Sequence, residues 1–207
     1  SGLHIIEEVF TRVKINLLSL PGERLEDIES VEAHLVLLPQ ASAFLEENNI
    51  RGIQAVDSAG AAAALKASKT KGAGVLASKL AAEIYDLKVL AENIEDSDHN
   101  TTRFLLMSSR PDNARRGDTK MMTTFIFQVR NIPAALYKAM GGFATNGVNM
   151  TKLESYMVGG SFSATQFYAD IEGHPDDNNV KLAMDELSYF TQSISILGVY
   201  PASSKRV

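Results

Sequence analysis

The chain contains no cysteine, which rules out a disulfide framework, an iron–sulfur cluster and a cysteine nucleophile. A cytoplasmic protein is the simplest reading. No window approaches the run of ~20 apolar residues that a membrane-spanning helix needs. The opening Ser1-Gly2-Leu3-His4-Ile5-Ile6 lacks the basic-then-apolar order of a signal peptide. It already reads as strand, so an upstream segment is expected. Net charge is -5, and no basic stripe is interleaved with aromatics, so neither nucleic acid nor membrane is an expected partner. His4, His34, His99 and His174 are scattered with no pair at helical spacing, which argues against zinc. No Gly-x-Ser-x-Gly, Walker or dinucleotide-binding glycine pattern occurs, so no cofactor is expected.

What is present is an ordinary globular composition, 45% hydrophobic and 22% charged over 207 residues, enough for one large domain or two small ones. Residues 9–17 carry apolar or β-branched side chains at odd positions and predict a strand with one wet face. From there to about Ser109, strand-like runs (31–35, 52–56, 74–77, 87–90 and 102–107) alternate with helix-like runs (39–48, 58–68 and 78–85). That alternation predicts an α/β layer with a mostly parallel sheet over residues 1–109. Residues 110–120 are polar and carry Pro and Gly, as a linker does. Residues 121–207 then read β-α-β-β-α-β, the ferredoxin-like order. Strands are expected at 123–130, 148–158, 162–171 and 194–200, and helices at 133–146 and 175–191. Gly159-Gly160 predicts a tight hairpin, and Val180, Met184, Leu187 and Phe190 predict one buried helix face.

In an open α/β sheet, ligands bind beyond the carboxyl ends of the strands, where helix N-termini present free N–H groups. Three such exits carry hydroxyls: Ser58 beside Ala59, Ser78 beside Lys79, and Thr101-Thr102 beside Arg103. For Ser58 and Ser78, simple N-capping is the competing explanation. Arg103 suits a bidentate grip on a carboxylate with Thr102 as a neutral donor. The competing explanation is a surface bridge to Glu92, Glu95, Asp96 or Asp98. Those acids count against an anionic ligand unless they face away. His34, at a strand end, reads as a surface or capping residue before a site residue.

Asn100-Thr101-Thr102-Arg103-Phe104 resembles the Thr-Arg-Phe motif of prephenate dehydratases, and residues 57–62 and 81–87 resemble two further segments of that family. Residues 121–127 and 149–155 resemble its ACT regulatory domain. The resemblance implies a periplasmic-binding-protein-like catalytic lobe followed by a ferredoxin-like ACT domain. It implies conversion of prephenate to phenylpyruvate with loss of carbon dioxide and water, on the way to phenylalanine. Thr102 and Arg103 carry over as catalytic residues, and Ser58, Ala59, Ser78 and Phe104 as substrate-binding ones. L-phenylalanine is the implied effector, bound between ACT domains of a homodimer or tetramer. Its site carries over to Pro133, Ala134, Ala135 and Leu136, and to Asn149, Met150, Thr151, Glu154 and Ser155. The second motif, usually Glu-Ser-Arg-Pro, here reads Glu154-Ser155-Tyr156-Met157. The family carries a further stretch before the point where this chain begins, so the chain alone is expected to be weakly active or inactive. The alternative is a non-catalytic amino-acid-binding module that keeps the ACT dimer.

Overall fold

The computed structural model describes every residue except Ser1, Asp98, Asp118, Asn131, 161–163 and Val207, and only the backbone of Ala164 and Thr165. The chain packs as two compact units, Thr11–Thr102 and Ser1–Phe10 with Arg103–Val207. These are not the sequence-expected boundaries, because the first ten residues join the second unit. The division falls inside a two-stranded sheet of β1 (His4–Arg12) and β7 (Thr101–Ser108). The expected strand over residues 9–17 is in fact two, β1 and β2 (Asn16–Ser19), with Val9 exposed and Glu8 buried.

The Thr11–Thr102 unit holds β2, β3 (Ser30–His34), α1 (Ser42–Glu47), β4 (Arg51–Ala55), α2 (Ser58–Ser68), β5 (Ala73–Ala77), α3 (Lys79–Tyr85) and β6 (Lys88–Ala91). The expected helix over 39–48 is a 3-10 turn at Leu38–Ala41 leading into α1. The sheet order is β4-β3-β5-β2-β6. β3 runs parallel to β4 and β5, whereas β2 is antiparallel to β5 and β6, so the sheet is mixed and not mostly parallel. Strand alternation sorts its two faces. Leu17, Val31 and Leu76 pack with Leu45 of α1, while Leu18 and Val75 pack under Ala61, Ala62 and Leu65 of α2 and Ala81 and Ala82 of α3. The alanines let α2 lie close to the sheet.

In the other unit, β8 (Met121–Val129), α4 (Ala135–Thr145), β9 (Met150–Met157), β10 (Ala164–Glu172), α5 (Asn178–Phe190) and β11 (Thr191–Pro201) run β-α-β-β-α-β. The sheet order is β11-β8-β10-β9, all antiparallel. Gly159 and Gly160 both adopt positive φ at the β9–β10 turn; the expected start of β10 at Phe162 lies outside the described residues. Phe125, Phe127, Phe167 and Ile171 point to one face, against Ala139 and Phe143 of α4 and Val180, Ala183 and Leu187 of α5. The Phe127 and Phe167 rings stack at 5.3 Å, a contact worth roughly 1 kcal/mol beyond its area. Phe190, expected on the buried face of α5, is 39% exposed.

The opposite sheet face is also covered. Ile5 of β1 and Leu105 of β7 pack with Met122 and Tyr200. Gly198 is required there, because a Cβ would overlap the Ile5 carbonyl. Residues 110–120 are no free linker. Ala114 N–H donates to the Val199 carbonyl at 2.9 Å, the Ala114 carbonyl meets His174 Nε2 at 3.0 Å, and Arg116 pairs with Asp177 at 2.6 Å. His174 Nδ1 accepts from the Asp176 N–H at 3.0 Å, so Nε2 carries the proton given to Ala114.

Candidate functional site

β4, β3 and β5 are parallel neighbours, so their carboxyl ends share one edge of the sheet. α2 opens at that edge, with first-turn N–H groups that have no partner within the helix. Asp57 is its N-cap, Oδ1 accepting from the Gly60 N–H at 2.6 Å. Ser58 is therefore not spent on capping. Its hydroxyl accepts from the His34 N–H at 3.3 Å and ties the ends of β4 and β3 together, while Ala59 is exposed on the same turn. Ser78 does cap, accepting from the Ala81 N–H at 3.3 Å at the start of α3. His34 Nδ1 accepts from the Val36 N–H at 3.3 Å, which makes it a turn residue.

Thr102 is the second residue of β7 and exposed, and its hydroxyl has no hydrogen-bond partner among the described residues. The loop entering β7 is held at several points. The Glu95 side chain, 2% exposed, accepts from the Ile15 N–H at 3.0 Å and faces Arg12 at 3.5 Å. The Asp96 carboxylate caps α1, taking the Ser42 N–H, the Ser42 hydroxyl and the Ala43 N–H at 3.0, 2.7 and 3.1 Å. Asn100 donates to Gln40 at 2.7 Å and accepts from the Val13 N–H at 2.8 Å. Glu92 pairs with Lys79 at 2.7 Å. Three of the four acids that counted against an anionic ligand are thus engaged elsewhere; Asp98 lies outside the described residues.

Arg103 does not share the outlook of Thr102. Consecutive strand residues point to opposite faces, so Thr102 pairs with exposed Phe104 and Arg103 turns inward. Its Nε donates to Glu8 at 2.8 Å, Nη1 to Asp170, and Nη2 to the Tyr200 hydroxyl at 2.8 Å. The expected grip on a ligand carboxylate, or on the loop acids, goes instead to two carboxylates with side chains 0% exposed. The reason is electrostatic: buried carboxylates without a cation are strongly destabilising. Donor directions follow around a closed ring. Thr124 donates to Asp170 at 2.6 Å, so the Tyr200 hydroxyl, already accepting from Arg103, donates to Thr124 at 2.6 Å. Burial, chiefly, pushes the Tyr200 pKa up and keeps its proton in place. Arg206 adds a second cation, donating Nε to Glu8 at 2.9 Å, and the Ser203 N–H donates to Glu8 at 3.0 Å. Burial alone would raise the Glu8 pKa, but the Arg206 and Ser203 hydrogen bonds and the two positive charges outweigh it and hold it below the ordinary range.

The expected effector residues fall into two groups. Pro133 and Ala134 precede α4, which begins at Ala135 and not at Pro133; Leu136 follows in its first turn. Asn149 and Thr151, at the start of β9, line a cavity of about 450 Å³ with Lys120, Glu172, Ser203 and Arg206. Met150 stands between them, half-buried. β9 and β8 are both antiparallel to β10, so β9 starts at the end where β8 starts, whereas α4 follows the end of β8. The two groups therefore lie at opposite ends of the sheet, on the order of 24 Å apart at 3.4 Å per residue. Glu154 is midway, accepting from the Tyr156 hydroxyl at 2.7 Å and pairing with Lys152 at 3.0 Å, while Ser155 points to the other face.

Sequence reasoning missed Glu8, Asp170, Tyr200 and Arg206. One signal was available: Met121 to Phe127 is apolar or β-branched throughout, which marks β8 as buried on both faces and calls for a cover on the second.

A sequence model of the prephenate dehydratase family matches residues 1–112. A bifunctional N-acyl-homoserine lactone acylase/prephenate dehydratase of Komagataeibacter europaeus is 47% identical over 206 residues, all of this chain and 73% of that protein. The bifunctional chorismate mutase/prephenate dehydratase of Aquifex aeolicus is 36% identical over 202 residues, covering 97% of this chain and 54% of that protein. A solved prephenate dehydratase from Arthrobacter aurescens, in complex with L-Phe, superposes with a TM-score of 0.86 at 27% identity, over 99% of this chain and 68% of that one. No helix among the described residues is long and apolar enough to cross a membrane. With the family's sequence pattern over residues 1–112 and its close relatives alike along the whole length, the chain belongs to the prephenate dehydratase family.

Proposed function

We propose that this chain is a cytoplasmic prephenate dehydratase chain, with a periplasmic-binding-protein-like catalytic lobe in the Thr11–Thr102 unit and an ACT regulatory domain in the βαββαβ unit. One observation carries the catalytic part: Thr102, in the family's Thr-Arg-Phe motif, keeps its hydroxyl exposed and unengaged on a strand whose approach is pinned. Prephenate offers two carboxylates and a ring hydroxyl. The α2 first-turn N–H groups at Ser58 and Ala59, with the Ser58 and Ser78 hydroxyls, suit the carboxylates. Phe104, on the face of Thr102, suits the ring. The bond from ring to carboxylate breaks, its electrons aromatise the ring, and the hydroxyl at the far carbon leaves. That departure is what a hydrogen-bond donor accelerates, and Thr102 is the candidate. The electrons come from the substrate, so the step needs no cofactor.

Incubating the chain with prephenate and following phenylpyruvate tests the reading. Thr102→Val should lower kcat by about 10²–10³-fold with KM little changed, and Thr102→Ser should retain most of the rate. Wild-type turnover by Thr102→Val would sink the assignment. The 47% relative is also named as an N-acyl-homoserine lactone acylase, and its likeness over the full chain favours assaying fatty-acid release from such a lactone in parallel.

A further inference from the structure

We propose that Glu8 and Asp170 are positioning residues for catalysis. They clamp Arg103 and thereby fix the strand on which Thr102 presents its hydroxyl. The inference rests on the assignment of Thr102 above and goes beyond it in giving the βαββαβ unit a share in catalysis.

The clamp is complete in charge and in geometry. Two carboxylates, Glu8 and Asp170, meet two guanidinium groups, Arg103 and Arg206, with both acid side chains fully buried and the arginines 17% and 18% exposed. Each Asp170 oxygen is taken, Oδ1 by Thr124 and Oδ2 by Arg103. A substrate carboxylate drawing Arg103 outward would leave buried Asp170 without a cation and Glu8 with Arg206 alone, which costs more than the new pair returns. Arg103 is therefore poorly placed to be a ligand group and well placed to be an anchor. It holds β7 from the inward face, one residue from Thr102. Its partners come from β1, β10 and β11, so most of the anchor belongs to the βαββαβ unit. Positioning tolerances in catalysis are tight, and loss of the anchor should appear in the rate.

The test uses the full chain and two readouts. With prephenate, Asp170→Asn and Arg103→Gln should each lower kcat about tenfold or more with KM within about twofold, and the double variant should be no worse than the worse single one. In amide hydrogen exchange, Asp170→Asn should speed exchange at residues 101–106 by about tenfold and leave the α4 and α5 amides at wild-type rates. Arg103→Gln raising KM with kcat kept would overturn the proposal, since Arg103 would then be a substrate ligand. Unchanged exchange over 101–106 would also overturn it. If wild type itself forms no phenylpyruvate, the rates cannot be compared, and the exchange arm alone decides whether the clamp fixes β7.

Discussion

At the scale of single residues, the most consequential side chain is Glu8, an acid at an inward position of a strand. It accepts from Arg103, Arg206 and the Ser203 N–H, and those bonds hold its pKa below the ordinary range against the opposing effect of burial. A depressed folded-state pKa means that the charged form contributes stability above the unfolded value of about 4.3, and that this contribution disappears as pH falls through the lower folded value. Breaking such a buried set by removing one partner costs about 3–5 kcal/mol. Glu8→Gln should therefore lose about that much in urea unfolding at pH 7 and less relative to wild type at an acidic pH below the unfolded value. An equal loss at both pH values would show that packing, and not charge, is responsible. Nothing local announced this residue: its partner Arg206 is 198 positions away. Arg103 stood out in the sequence as a motif arginine, but its orientation did not, because the motif specifies residue types and the strand's alternation decides the face.

Elements were more legible than residues wherever a period ran without interruption. α2 begins at Ser58 and ends at Ser68, as its alanine-rich stretch predicts, and the β-α-β-β-α-β order from Met121 follows from alternating periods of two and 3.6. The misreadings cluster where a tertiary contact overrules local pattern. The odd-position pattern across residues 9–17 continues over a break, since β1 and β2 belong to different sheets. Residues 110–120 look like a linker but are fastened by Val199 and His174. The entry to α4 is instructive in energy. Ala134 has φ 60° and ψ 18°, the left-handed region, which costs a residue with a Cβ roughly 1–2 kcal/mol. Glycine avoids that cost but adds about 0.4–1 kcal/mol of unfolded-state freedom. The first quantity is the larger, so Ala134→Gly should raise stability by about 0.5–1 kcal/mol in urea unfolding. A loss would mean that the helix entry relaxes around alanine without strain.

At the scale of the whole molecule, the question is how one phenylalanine could use both expected effector groups. Ala134, Ala135 and Leu136 lie at the end of β8, and Asn149 and Thr151 line a cavity at its start. A ligand the size of phenylalanine cannot span the length of a strand, so the two groups serve one molecule only if two chains supply them. The cavity itself has matching chemistry: Lys120 and Glu172 are opposite charges with no ion-pair partner among the described residues, as a carboxylate and an ammonium group require. A ligand that binds the assembled pair and not the single chain shifts association by mass action. L-phenylalanine at about 1 mM should then move sedimentation toward the dimer or tetramer, and Asn149→Ala should blunt the shift while leaving the unliganded distribution alone. Tyrosine serves as the control, since its extra hydroxyl must find a hydrogen-bond partner of its own on binding. The same addition should slow phenylpyruvate formation if the effector's influence reaches β7, and Asp170 on β10 lies beside Lys152 of β9 in the ladder. Phenylalanine binding that leaves the association state unchanged would mean that each chain holds its own effector, and the two-chain site would have to be abandoned.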